Sequence, residues 1–172
     1  MSEQRAAFPR LSESGLSWLA LFPPLIVLDQ WTKSLATAHL SYNLPVPVVP
    51  GLNWTLVHNK GAAFSFLSDA SGWQSWFFSS LAVVVSALLI YWLRRELKSD
   101  WRQCLPFALI ISGAIGNLID RLRFGYVVDF VQLYAGQWSW PVFNVADSCI
   151  SVGAVMLVWF SFKSRKDGQL RG

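Results

Sequence analysis

Histidine and cysteine are almost missing from this 172-residue chain, two of each, and charged residues make up only 14% of it. Each scarcity excludes something. Neither His39 nor His58 stands in H-E-x-x-H or any other zinc spacing, so a zinc peptidase is ruled out and no metal site is expected. G-x-S-x-G is absent and no histidine is placed to serve a serine as base; serine chemistry would have to use Lys33 or Lys60, a poor fit. Cys104 and Cys149 fall at opposite ends of their apolar segments, while a disulfide needs Cα atoms within about 7 Å, so packing is their expected role. So little charge beside 53% hydrophobic residues excludes a soluble globule. Nucleic-acid binding needs a basic face, and none is available.

What is abundant is lipid-compatible sequence. Segments 16–35, 73–93, 104–119 and 142–162 are apolar enough to span; the second carries no charge and, at about 1.5 Å per residue, covers a hydrocarbon core of about 30 Å. The basic residues orient them. Ten of the fourteen fall before the first segment, between the second and third, or after the fourth (Arg5, Arg10, Arg94, Arg95, Lys98, Arg102, Lys163, Arg165, Lys166, Arg171). Short cytoplasmic loops collect Lys and Arg, so both termini should be cytoplasmic and residues 36–72 and 120–146 should face out. Trp54, Trp73, Trp76, Trp138 and Trp140 then mark the outer interface, and Trp18, Trp92, Trp101 and Trp159 the inner one. Pro23 and Pro24 predict a bent first helix. The outer stretch "LPVPVVPGLNWTLVHNKGAAFSF" alternates apolar and polar residues and reads as short surface strands, a cradle too small to be a separate domain. Residues 1–172 are therefore one integral membrane domain. An alternative reading of the start, basic residues, an apolar run and "ATA" at 36–38, is a signal peptide.

Five acids lie at or beyond the outer boundary. Asp29 stands four residues before Lys33, the spacing of a helical ion pair, and charge neutralisation explains it better than catalysis. Asp69 reads as a loop or cap residue. Asp120 in "GNLIDR", flanked by Arg121 and three residues after Asn117, reads as the polar end of a helix. Asp129 in "YVVDFV" and Asp147 after "FN" have no adjacent base. Acids near a bilayer are functional candidates by default. Two that return to one bundle can share a proton as an acid/base pair, although each taken alone also fits a helix cap or a surface acid.

"LDQWTK", "VHNKGAAFSFL", "GAIGNLIDRLRFGYVVDF" and "FNVADS", in that order and spread over residues 16–162, resemble the sequence blocks of lipoprotein signal peptidase, signal peptidase II. The resemblance implies an all-α membrane protein of four transmembrane helices with a small β-like periplasmic cradle. It implies an aspartyl endopeptidase of the bacterial inner membrane, active site toward the periplasm. Such an enzyme cleaves diacylglyceryl-modified prolipoproteins on the amino side of the lipidated cysteine. The family's catalytic pair falls on Asp129 and Asp147. Asp29, Lys33, Asn59, Asn117, Arg121 and Asn144 fall on its supporting positions, with Asp120 beside them and Gly61 giving the cradle a turn. Lys60 departs from the threonine more usual in "HNKG". No cofactor is implied. The expected partners are the prolipoprotein, membrane lipid and globomycin-type cyclic peptides as inhibitors. Retaining Asp29 and Lys33 also argues against a cleaved first segment. Three other classes compete: a proton-coupled carrier, which should show repeated halves with broken helices; a Mg²⁺-dependent lipid-phosphate enzyme; and a non-catalytic assembly factor.

Overall fold

A computed structural model describes residues 8–61 and 73–169. The chain enters through a 3-10 turn at Leu11–Glu13 and a 3-10 helix at Gly15–Leu21, then continues as α1 (Phe22–His39). Pro23 and Pro24 therefore do not bend the interior of a helix spanning 16–35. They sit in the first turn of α1, where a missing N–H leaves no intrahelical bond unmade. The change of direction is a junction between two helix types. Three longer helices follow: α2 (Trp73–Arg95), α3 (Trp101–Phe124) and α4 (Val145–Gln169). The third segment is longer than its sequence boundaries of 104–119, and α4 begins three residues after the expected start at Val142, because Asn144 caps it. α2, α3 and residues Val145–Lys163 of α4 are long and apolar enough to cross a membrane. α1 does not reach that standard, since Asp29, Gln30 and Lys33 occupy its middle turns.

α3 is the axis of the bundle. It is 56% buried across its most apolar stretch, against 11% for α4, whose Val152, Val155, Val158 and Trp159 point outward. Small residues allow this closeness, as between helices in lipid where side-chain packing drives association. A Cβ at Gly113 would collide with the Ala146 carbonyl of α4, and one at Gly153 would stand 2.8 Å from the Pro106 carbonyl of α3. At the opposite end Leu89, Leu93, Cys104, Phe107 and Ile111 form an apolar core over which Trp18, Leu19 and Phe22 pack. Cys104 is buried there, and neither it nor Cys149 is in a disulfide. The N-terminal segment is stitched to the α2–α3 loop. Gly15 N–H donates to the Glu96 carbonyl (2.8 Å), Lys98 N–H to the Glu13 carbonyl (2.8 Å), and Trp18 Nε1 to the Lys98 carbonyl (2.9 Å).

The fold is not all-α. Strands β1 (Val46–Val49), β2 (Leu52–Asn59), β3 (Val127–Ala135) and β4 (Trp138–Ser139) form one antiparallel sheet in chain order. The sequence suggested strands at β1 and β2 but gave no sign of β3, which does not alternate. The reason is burial on both faces: Val127, Val128, Asp129 and Phe130 are all under 9% exposed. Val128 and Phe130 pack with Leu56 and with Ala36 of α1, while Val127 and Asp129 face the other way. β3 is thus the wall shared by the sheet and the bundle.

Candidate active site

Asp147 is placed by the local chemistry of a helix start. Asn144 precedes α4, and its Oδ1 accepts the Asp147 backbone N–H (2.9 Å). Asp147 Oδ2 in return accepts the Asn144 backbone N–H (3.3 Å). This is a reciprocal capping box with Asn and Asp in the two roles, legible in "NVAD". The cap reading of Asp147 and the functional reading are therefore compatible, because Asp147 Oδ1 is left to accept Asn117 Nδ2 (2.7 Å).

Asp129 reaches the same spot from the sheet. Its cross-strand neighbour is Val57, so Asn59, two residues along β2, lies on the same face at diagonal reach. Asn59 Nδ2 donates to Asp129 Oδ2 (3.0 Å) while its Oδ1 accepts the Gly61 N–H (2.8 Å). Gly61 has φ +104°, and a Cβ there would come within 2.7 Å of the Phe78 ring. The stretch leading into α4 docks on β3: Val131 N–H donates to the Phe143 carbonyl (2.8 Å) and Phe143 N–H to that of Val131 (3.0 Å). That delivers Asn144 Nδ2 to Asp129 Oδ1 (2.6 Å). One asparagine thus caps the helix bearing Asp147 and donates to Asp129. Burial, followed by the charge of Asp147, pushes the Asp129 carboxyl up to about 7 against the pull of these hydrogen bonds and of Lys33.

The missing cation is Lys33, which the sequence paired only with Asp29. Its ammonium is buried between Asp29 Oδ2 (2.9 Å) and Asp120 Oδ2 (2.8 Å) and also donates to Asn117 Oδ1 (3.0 Å). Asp120 therefore pairs with Lys33 and not with the adjacent Arg121. The two carboxylates then hold backbone: Asp29 Oδ1 accepts the Ala146 N–H (2.9 Å) and Asp120 Oδ2 the Val128 N–H (3.1 Å). Ala146 precedes Asp147 and Val128 precedes Asp129. One ion cluster thus fixes the residue before each member of the pair. Gln30, unremarked in "LDQWTK", completes it by donating to Asp120 Oδ1 (2.9 Å) and Asp29 Oδ2 (3.2 Å).

Arg121 stands beside these groups, its guanidinium 5.4 Å from the centroid of the Phe78 ring, and its buried Nε has no hydrogen-bond partner among the described residues. Asp129, Asp147, Asn59, Asn117, Asn144, Asp29, Lys33 and Asp120 are gathered into one polar cluster, with Gly61 at the end of its β2 side. Asp69 and residues 62–67 of the expected cradle lie outside the described residues. Among the described residues no group of three or more His, Cys, Asp or Glu side chains is arranged to hold a metal ion.

Apolar helices around a buried and a half-buried carboxylate, each held by amide donors, define a multi-pass membrane protein with two acids brought to one polar cluster. The comparisons agree on a family. The model described as "Signal peptidase (SPase) II" matches residues 21–163. The lipoprotein signal peptidase of Xanthomonas campestris pv. campestris is 52% identical over 164 residues, covering 92% of this chain and 98% of that protein. That of Acinetobacter baumannii is 55% identical over 148 residues, covering 86% and 84%. A bacterial membrane enzyme solved by the in meso method at 2.3 Å superposes with a TM-score of 0.75 at 26% identity, covering 90% of this chain and 94% of that one. This chain belongs to the signal peptidase II family, and so to a family of proteases.

Proposed function

We propose that the chain is an aspartyl endopeptidase of the bacterial inner membrane that removes the signal peptide of diacylglyceryl-modified prolipoproteins, cutting on the amino side of the lipidated cysteine. The observation that carries this is the meeting of Asp129 and Asp147 around Asn144, one from a strand and one from a helix start, each with an amide donor on its carboxylate. One carboxylate takes a proton from a water molecule as its oxygen attacks the scissile carbonyl carbon; the other, protonated, gives its proton to the carbonyl oxygen. As the tetrahedral diol collapses, the C–N bond breaks, the cysteine nitrogen takes the first proton, and the second returns to the carboxylate that lent it. Beyond the attacking water and the substrate, the two carboxyls complete that balance. Arg121 and Asn59 line the path of the extended substrate backbone, and cyclic peptides of the globomycin type occupy the same path as inhibitors. The substrate's lipid fixes the cysteine, so remote binding energy orients the reacting bond. The test is cleavage by purified protein of one prolipoprotein in lipidated and unlipidated form. The lipidated form should turn over at least about 10²-fold faster in kcat/KM; equal turnover would refute lipid dependence, and no cleavage of either would refute the peptidase reading.

The proposal places α1 as a fourth span within a single domain, its charges paid for by the Lys33 cluster, with both termini cytoplasmic and the sheet periplasmic. The stitching of the N-terminal segment to the basic α2–α3 loop supports a common side for the two. A periplasm-active reporter should work when fused after Gly136 and fail after Lys98; the reverse pattern would invert the topology.

A further inference from the structure

We infer that Lys33 is a positioning residue that decides which carboxylate is ionised: by holding Asn117 Oδ1 it aims Asn117 Nδ2 at Asp147, making Asp147 the base and leaving the shared proton on Asp129. This rests on the reading of Asp129 and Asp147 as the hydrolytic pair. An ammonium has three donors and no acceptor. Lys33 spends them on Asp29 Oδ2, Asp120 Oδ2 and Asn117 Oδ1, so the direction of the Asn117 amide is fixed by chemistry: a flipped amide would press NH2 against NH3⁺. Asn144 Nδ2, 3.2 Å from the same Asn117 oxygen, enforces the same choice. The Asn117 NH2 group is thereby committed to Asp147 Oδ1 at 2.7 Å, and the positive charge of Lys33 is relayed to Asp147 through one amide.

Asp129 also receives two amides, from Asn59 and Asn144, so donors alone do not separate the pair. Two features do. Asp147 lies in the first turn of α4, where the helix dipole favours an anion; Asp129 lies on a strand and has no such field. Asn117 is held by the cluster's cation, whereas Asn59 is held by the neutral N–H of Gly61. The charged groups acting around Asp147 are Asp29 and Lys33 from α1, Arg121 from α3 and Asp129 from β3. Of the two cations, Lys33 is the one joined to the Asp147 carboxylate by a single bridging side chain among the described residues. The elevated proton affinity of the buried Asp129 accords with its holding the proton.

The test is the pH profile of kcat for lipidated-prolipoprotein cleavage by the full chain. Asn117→Ala leaves the Lys33 ion pairs in place and should move the acidic limb to higher pH by about one unit while lowering kcat more than it changes KM. Lys33→Met should move the same limb in the same direction, and the double variant should add little, because one residue acts through the other. Lys33→Met/Asp120→Asn keeps the net charge of the cluster and serves where the single variant does not fold; it should show the same shift. An unmoved limb in Asn117→Ala, or shifts that add in the double variant, would overturn the inference, the latter by showing that Lys33 acts through space. A purely structural Lys33 would lower the amount of folded enzyme without moving the limb. Asp147→Asn is run alongside: if it is inactive while the limb stays put, only this inference fails, whereas residual activity in it removes the hydrolytic-pair reading as well.

Discussion

Asp129→Asn and Asp147→Asn each lower single-turnover cleavage of a lipidated prolipoprotein by roughly 10³-fold or more, and the double variant is no worse than either alone. The expectation follows from the shared frame. Asn keeps the shape of Asp and can still meet the amides of Asn144 or Asn117 with its oxygen, but it can neither lend nor take a proton. In the proposed mechanism the two carboxyls act on one water and one carbonyl, so losing the first leaves nothing for the second to complete, and the losses do not add. Substrate affinity should survive in all three variants, since neither aspartate anchors the fold as the Lys33 cluster does. Substantial activity in either single variant would move the chemistry elsewhere, with Asp29 and Asp120 the first places to look.

The same Asp129→Asn protein should gain stability relative to the parent as pH rises, most at pH 8 and much less at pH 5. Burial raises the folded-state affinity of Asp129 for its proton to a value near 7, from 3.8 for a free carboxyl. Between those values the folded state holds the proton and the unfolded state does not. Stability is therefore highest below about pH 4 as far as this group is concerned, and falls as pH rises toward 7. A shift of this size corresponds to about 4 kcal/mol at most, an order-of-magnitude figure. Asn removes that slope, less the cost of turning one NH2 toward Asn59 or Asn144. Thermal unfolding of parent and variant across pH 5 to 8 checks it: parallel curves would mean that Asp129 titrates as an exposed acid. Activity and stability thus pull in opposite directions at one residue, as expected where function requires a buried titratable group.

The membrane-spanning character was legible because apolar length and basic asymmetry are properties of the chain alone. That Asp129 and Asp147 stand apart from the other acids was legible for a related reason: each lacked a base nearby in sequence, and the structure brings both to Asn144. What could not be read was the cation that serves them. Lys33 lies 84 residues from Asn117, and its i,i+4 neighbour Asp29 supplied a sufficient local explanation that concealed Asp120. β3 was hidden for the opposite reason. Its first four residues are buried on both faces, so the alternation that marks a half-exposed strand is absent. The role of Asn144 as cap and donor at once was half visible, in the "NVAD" spacing, while the donation to Asp129 depends on Phe143 docking against Val131. The bend assigned to Pro23 and Pro24 failed because a proline signals a helix start as readily as a kink.

The span of chain between Lys33 and its partners has a meaning in time. α1 leaves the ribosome before α3, with an ammonium and a carboxylate in its middle turns, whereas Asn117 is synthesised 84 residues after Lys33 and Asp120 just after that. At about 5–20 residues per second that interval is roughly 4 to 17 s. Throughout it the Asp29–Lys33 contact, formed within one helix, is the neutralising interaction available to α1. On the proposal that α1 is a fourth span, the segment enters the bilayer as a provisional tenant and is secured only when α3 arrives. Slowing synthesis between α2 and α3 should therefore expose the nascent chain to degradation in a way that slowing it after α4 does not.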